Sequence, residues 1–173
     1  ISNELGFKYD SEKIKFSTSF FQRKSTNIID YVKENESDKW KATNIRNLNT
    51  KGFDFDFNYI DLIRVGYTYL YDDSYVNDIK FSRYAINSFR HQLTSRLLLN
   101  YSGRLSQNLI FKYGERSDKS NHSVVDTNIN YRLGNKSYLF ISLNNIFDTS
   151  YSETNLVPMP GRNFLFGFIN YLE

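Results

Sequence analysis

The chain of 173 residues carries 22 Lys and Arg against 19 Asp and Glu and has no cysteine; its mean hydropathy is −0.55. The lack of cysteine excludes disulfides, cysteine-based zinc sites and thiol catalysis, and no apolar run approaches the roughly 18 residues that a membrane-spanning helix needs. The charges are interspersed rather than clustered, so nucleic acid is not an expected partner.

Successive side chains of a strand point to opposite faces, so alternation of apolar and polar residues marks a strand with two different environments. Taken in chain order, that alternation predicts strands over about 1–9 and 13–23, joined by the short turn Asp10-Ser11-Glu12. A long polar stretch, 24–42, precedes a strand over 43–59, in which Phe53, Phe55, Phe57 and Tyr59 alternate with Asp54, Asp56 and Asn58. The turn Ile60-Asp61 leads into 62–72, where Ile63, Val65, Tyr67, Tyr69 and Tyr71 interleave with Arg64, Gly66, Thr68, Leu70 and Asp72. Past the long stretch 73–90, a strand over 91–101 alternates Leu93, Leu97, Leu99 and Tyr101 with Gln92, Arg96 and Asn100. The turn Ser102-Gly103-Arg104 and the polar stretch 117–122 flank a strand over 105–116. Strands over 123–133 and 138–147 enclose the turn Gly134-Asn135-Lys136-Ser137, and a loop over 148–161 precedes a last strand over 162–172. That last strand is apolar at both parities, so periodicity alone leaves its outward face open.

Short turns therefore lie on one rim and long loops on the other, which is the habit of outer-membrane barrels. The expected fold is all-β: an antiparallel up-and-down transmembrane β-barrel segment. The last apolar-face residue before each short turn is a tyrosine, at Tyr9, Tyr59, Tyr101 and Tyr131. An apolar ring with a wet hydroxyl suits the level where hydrocarbon meets head groups, so these four are expected to form a membrane-interface girdle. The polar face carries Lys8, Lys15, Arg23, Arg64, Arg96, Lys112, Arg116 and Arg132 with Asp54, Asp56 and Asp126. A small dry interior would require each of these charges to be paired, whereas a wide or plugged lumen would not.

The chain's last third resembles the C-terminus of TonB-dependent outer-membrane receptors, of the vitamin B12 and siderophore receptor type. Asn145-Ile146-Phe147-Asp148-Thr149-Ser150-Tyr151 is similar to the family's Asn-Leu-Phe-Asp-x-x-Tyr, and Pro158-Met159-Pro160-Gly161-Arg162-Asn163-Phe164 to its Pro-x-Pro-Gly-Arg-x-Phe. Weaker echoes at Glu4-Leu5-Gly6-Phe7, Lys51-Gly52-Phe53-Asp54 and Arg90-His91-Gln92-Leu93 extend the likeness over the whole chain. The resemblance implies roughly nine strands of a barrel of about 22, with the plug, the TonB-engaging segment and the N-terminal strands lying outside this sequence. It implies Gram-negative outer-membrane lipid as surroundings. It also implies uptake of a scarce small-molecule nutrient bound by outer loops, with energy from TonB through the plug. Trp40, Tyr75, Arg83 and Tyr84 are the loop residues best suited to touch such a ligand. A small autonomous outer-membrane barrel with a structural or adhesive role is the alternative.

No catalytic constellation is present, so the chain is not expected to be an enzyme, and no cofactor or metal is called for. His91 and His122 lack a second ligand at metal spacing. Asp72, Asp73 and Asp78 lack the twelve-residue calcium-loop pattern and read as a solvated acidic loop.

Overall fold

The computed structural model describes residues 1–74, 81–83, 88–154 and 157–171. Its strands are β1 (Ser2–Asp10), β2 (Ile14–Lys33), β3 (Lys41–Tyr59), β4 (Ile63–Ser74), β5 (Phe81–Ser82) and β6 (Phe89–Asn100). They continue with β7 (Leu105–Arg116), β8 (Asn121–Arg132), β9 (Ser137–Asn144), β10 (Ser152–Thr154), β11 (Val157–Pro158) and β12 (Asn163–Asn170). The main sheet runs β1-β2-β3-β4-β6-β7-β8-β9-β12, β5 pairs off this path with β2, and β10 and β11 form a small separate hairpin. Every pairing is antiparallel.

The sheet has no core of the kind a soluble domain builds. Among the described residues, the only buried hydrophobic side chains are Val32 and Val124. The accessible surface is 12303 Å², against about 8,900 Å² for a compact protein of this mass. A single layer with both faces open fits a barrel wall and does not fit a sandwich or a ligand-binding soluble barrel.

Register ties the faces together. One row across the sheet reads Ile14, Tyr59, Ile63, Leu97, Leu109, Thr127, Leu143 and Phe164. The adjacent row, on the opposite face, reads Asp10, Lys15, Asn58, Arg64, Arg96, Ile110 and Asp126. The polar rows line a trough of about 980 Å³ bounded by residues from Gly6 on β1 to His122 on β8, so the polar face is the concave one. The same ladder places Phe164, Phe166 and Phe168 of β12 on the convex, apolar face, opposite Leu143, Ile141 and Leu139.

The structure departs from the sequence expectations above the loop rim. Stretch 24–42 is largely strand: β2 runs for 20 residues to Lys33 and β3 begins at Lys41. The two form a ribbon that continues past the apolar band. Apolar–polar alternation stops at Lys24, although Thr26, Ile28, Ile29, Tyr31 and Val32 keep strong strand preference. Stretch 73–90 contributes β5, which pairs with Val32 and Lys33 of the ribbon. Strand β9 ends at Asn144 and not at 147, because Asn145 adopts a left-handed backbone (φ 50) and turns the chain out of the ladder.

Two glycines are explained by close approach. A Cβ at Gly52 would lie 2.2 Å from the Phe21 ring, and one at Gly167 would lie 2.4 Å from the Phe140 ring. Each ring sits on the concave face over the glycine directly opposite it, a packing that offsets the weak strand preference of glycine. The β3–β4 turn is strained instead. Ile60 (φ 47) and Asp61 (φ 54) both lie in the left-handed region, and the Leu62 N–H closes the turn on the Tyr59 carbonyl at 2.8 Å. A β-branched residue is poorly suited to that conformation.

Candidate functional site

The concave wall is a field of charge built by strand alternation. Lys112 of β7 reaches Asp126 of β8 at 3.1 Å, Arg64 of β4 reaches Asp56 of β3 at 3.1 Å, and Lys15 of β2 reaches Asp10 of β1 at 3.6 Å. The Asp54 carboxylate accepts the Thr68 hydroxyl at 2.7 Å, and Arg96 donates to the Asn108 side-chain oxygen at 2.9 Å. Below these, toward the short turns, Asn128 donates to Ser142, and Asn130 donates to Asn128. Such a surface is stable only against water or another polar body.

The loop after β9 folds onto this wall and is held by the sequence motif. Asn145 is 2% exposed. Its side-chain oxygen accepts the Thr149 N–H at 2.9 Å, and its amide donates to the carbonyls of Thr149 and Pro160 at 2.9 and 3.3 Å. Its backbone N–H donates to Asp126 at 2.8 Å, which joins the motif to the Lys112–Asp126 pair. Asp148 accepts the Arg162 backbone N–H at 2.7 Å, and a Cβ at Gly161 would lie 2.8 Å from that same carboxylate. Ile146 donates its N–H to the Val125 carbonyl. Phe147 and Phe164 are strongly exposed, at 74% and 77%, Phe164 on the apolar face. Pro158 ends β11, and Met159 beyond it donates its N–H to the Tyr151 carbonyl at 2.9 Å.

Tyr151 carries the loop over the trough. Its ring stacks on His122 at 4.8 Å, and His122 meets Phe89 edge-on at 5.7 Å. Burial pushes the Tyr151 hydroxyl above the ordinary tyrosine range, so it stays neutral. Arg116 lies 4.0 Å over the Phe89 ring and donates to the carbonyls of Ser152 and Glu153 at 3.0 and 2.8 Å, pinning β10. This cluster of Phe89, Arg116, His122 and Tyr151 has no simple sequence signal, because its members come from three elements and a loop.

The four rim tyrosines share the convex parity. Tyr9, Tyr101 and Tyr131 are 48%, 59% and 41% exposed, and Tyr59 is partly covered. A second set, Tyr67, Tyr69, Tyr71 and Tyr113, lies on the same face toward the loops. There Tyr67 hydrogen-bonds His91 at 2.7 Å and Tyr113 donates to Glu115 at 2.7 Å. Sequence reasoning overlooked this upper set, although the repeated parity of Tyr67, Tyr69 and Tyr71 signals it.

Of the loop-ligand candidates, Trp40 and Arg83 lie within the described residues. Trp40 sits at the ribbon tip with the Lys33 ammonium 5.1 Å over its ring. Arg83 follows β5 and donates its backbone N–H to Tyr31. Tyr75 and Tyr84 lie outside the described residues, as does Asp78, while Asp72 accepts the Ser88 hydroxyl. No group of three or more histidines and acids that could hold a metal occurs among the described residues.

No curated protein sequence matches the chain. Solved structures do, at low identity and high structural overlap. A structure titled copper transporter OprC matches with a TM-score of 0.74 at 16% identity, over 98% of this chain and 30% of that one. The siderophore receptor PiuA from Acinetobacter baumannii gives 0.72 at 17% identity, over 98% and 28%. The FrpB iron transporter from Neisseria meningitidis gives 0.72 at 16% identity, over 98% and 30%. The chain thus spans under a third of the length of these relatives. The family profile described as TonB dependent receptor-like, beta-barrel matches residues 1–146, which comprise the strands from β1 through β9. The chain belongs to the TonB-dependent receptor β-barrel family, and its strands form part of the wall of such a barrel.

Proposed function

We propose that this chain is the C-terminal portion of the barrel of an outer-membrane receptor that binds a scarce nutrient, such as a siderophore or cobalamin, at its outer loops. Import then uses energy delivered by TonB through a plug that fills the lumen. The observation that carries this reading is the opposition of the two faces. The convex face is a band of Phe, Leu, Ile and Tyr, whereas the concave face is paired charge and amide. Solved relatives described as copper, siderophore and iron transporters support the choice of cargo class.

The tyrosine geometry supports lipid on the convex side. Tyr59 lies two residues rimward of Tyr9 across the β1-β2-β3 register. Tyr101 lies four residues rimward of Tyr59 across β3-β4-β6, and Tyr131 shares the Tyr101 row. The average stagger is about one residue per strand. With about 3.3 Å per residue and 4.8 Å between strands, that is the stagger of strands tilted by about 35°. Residues with that average stagger sit near one height in a barrel of that tilt, which supports Tyr9, Tyr59, Tyr101 and Tyr131 as a lower girdle. From Ile63 to Tyr71 on β4 is about 27 Å of strand, or about 22 Å of height at that tilt, close to the thickness of an outer-membrane apolar band.

The test is uptake by cells. A deletion strain is supplied with ferric siderophores, cobalamin or copper complexes as sole source, then complemented with the full-length gene. Uptake of at least one such nutrient should depend on both the gene and TonB. Unchanged uptake of all of them, with the protein present in the outer membrane, would favour an autonomous structural or adhesive barrel.

A further inference from the structure

Going up the convex face from the short turns, β2 carries no charge from Ile14 to Gln22 and then presents Lys24. Strand β3 carries none on that face from Tyr59 to Phe53 and then presents Lys51. Lys24 faces Asn49 and Lys51 faces Tyr71 across the ladder, so the two exposed lysines are diagonal neighbours. Arg90 of β6 joins them. The β6–β7 register shifts between Phe89 and His91, a bulge that re-aims the side chain between them. The Arg90 guanidinium lies 5.6 Å over the Tyr71 ring. Arg90 Nε is buried with no hydrogen-bond partner, and among the described residues no carboxylate pairs with any of the three cations. Of the acids nearby on this face, Glu115 accepts the Tyr113 hydroxyl, and Asp73 lies higher, opposite Asn49.

Height says what such a cluster meets. With an average stagger of about one residue per strand, and with Tyr69 paired to His91, Arg90 is level with Lys24. Lys51 falls one residue below them, a spread of about 3 Å. Lys51 also lies eight residues above Tyr59 on β3, about 26 Å of strand and about 22 Å of height at a tilt of about 35°. The three cations therefore stand where the apolar band ends and the outer-leaflet head groups begin.

We propose that Lys24, Lys51 and Arg90 bind a phosphorylated glycolipid of the outer leaflet, whose acyl chains lie along Phe20 and Phe53. The site rests on the outer-membrane reading above. Lysine and arginine both suit phosphate, and their apolar stems follow the greasy wall while the charge stays in the head-group layer. The cations spread over three strand spacings, about 14 Å, which is wider than one phosphate and fits a head group with two. Just below them the Phe20 and Phe53 rings pack at 4.9 Å, with Phe20 59% exposed, which makes an apolar seat for the chains. Free phosphate would gain little from exposed cations. A lipid anchored in the same leaflet has already lost much of the freedom that binding costs.

The experiment uses the full-length receptor in detergent, with binding of lipid A bearing two phosphates read by native mass spectrometry. K24Q/K51Q/R90Q should bind that lipid about tenfold more weakly than the parent, while K13Q, at the short-turn rim, should bind it as the parent does. Phosphatase-treated lipid A and phosphatidylglycerol should bind the parent as weakly as intact lipid A binds the triple variant. Heat-modifiable mobility in gels checks that each barrel is folded. Parent-like affinity in the folded triple variant would overturn the site, as would an equal loss in K13Q. Equal affinity of the parent for either control lipid would overturn it too. If Phe20→Trp fluorescence were untouched by lipids brominated along their chains, the outer-membrane reading itself would fall instead.

Discussion

Asp148 and Gly161 are in contact across the last loop: the Asp148 carboxylate, which accepts the Arg162 N–H at 2.7 Å, occupies the space a Cβ on residue 161 would need. The two residues act as one device that returns the chain to the sheet edge. Asp148→Ala should cost about 1 kcal/mol, since it removes one charge-assisted bond at an exposed site. Gly161→Ala should cost a similar amount by pushing the carboxylate away. In combination the two losses should not add, because the second change strikes an interaction already gone. Denaturant unfolding of the intact receptor in detergent measures all three variants.

Asn145 carries more. It is buried, and its side chain serves three backbone groups in two segments. Asn145→Ala leaves those groups without partners and should cost about 2–3 kcal/mol. Asn145→Gly should cost less than expected from the lost side chain, because glycine relieves the left-handed backbone there. Thermal unfolding of both variants gives the comparison.

The β3–β4 turn predicts a gain. Ile60 is exposed and held at φ 47, so Ile60→Gly or Ile60→Asn should stabilise the receptor by about 1 kcal/mol. A loss on both substitutions, measured by the same unfolding transition, would mean that Ile60 makes a contact worth more than its strain.

Gly52 predicts the reverse. Gly52→Val would drive the Phe21 ring off the concave wall, costing about 1–3 kcal/mol as an overpacking strain. The pair Phe21→Ala with Gly52→Val should recover part of that loss, because the valine then fills the space the ring held. A double-mutant cycle on unfolding free energy measures the recovery.

The lower tyrosine row can be placed directly. Tyr59→Trp and Tyr101→Trp should each keep the receptor folded, and vesicles of lipids brominated near the head group should quench the added fluorescence more strongly than mid-chain bromines. Equal quenching at both depths, or none, would remove these residues from the membrane interface.

Within the apolar band, alternation alone identified strands, faces and the order of turns, because each residue there meets one of two very different surroundings. Asp54 beside Phe55, or Arg96 beside Leu97, admits one assignment once one wall is greasy and the other polar. The motif residues Asn145, Asp148, Gly161 and Arg162 were legible as a family likeness, while their joint action in one knot was not, since nothing in a sequence says which carbonyl an amide will reach. The convex placement of Phe164 required the β9–β12 register, because both parities of that strand are apolar. The ribbon formed by Ile14–Lys33 and Lys41–Tyr59 was half visible. Along Ile29–Val32 the two faces still differ, with Asp30 and Val32 buried and Ile29 and Tyr31 exposed, but the buried side chains are one acid and one valine, so polarity no longer marks the face even while the hydrogen-bonded ladder continues. Only tertiary structure set Arg64 against Arg96, because cross-strand neighbours 32 positions apart in the chain are decided by register, and register is a property of the assembled sheet.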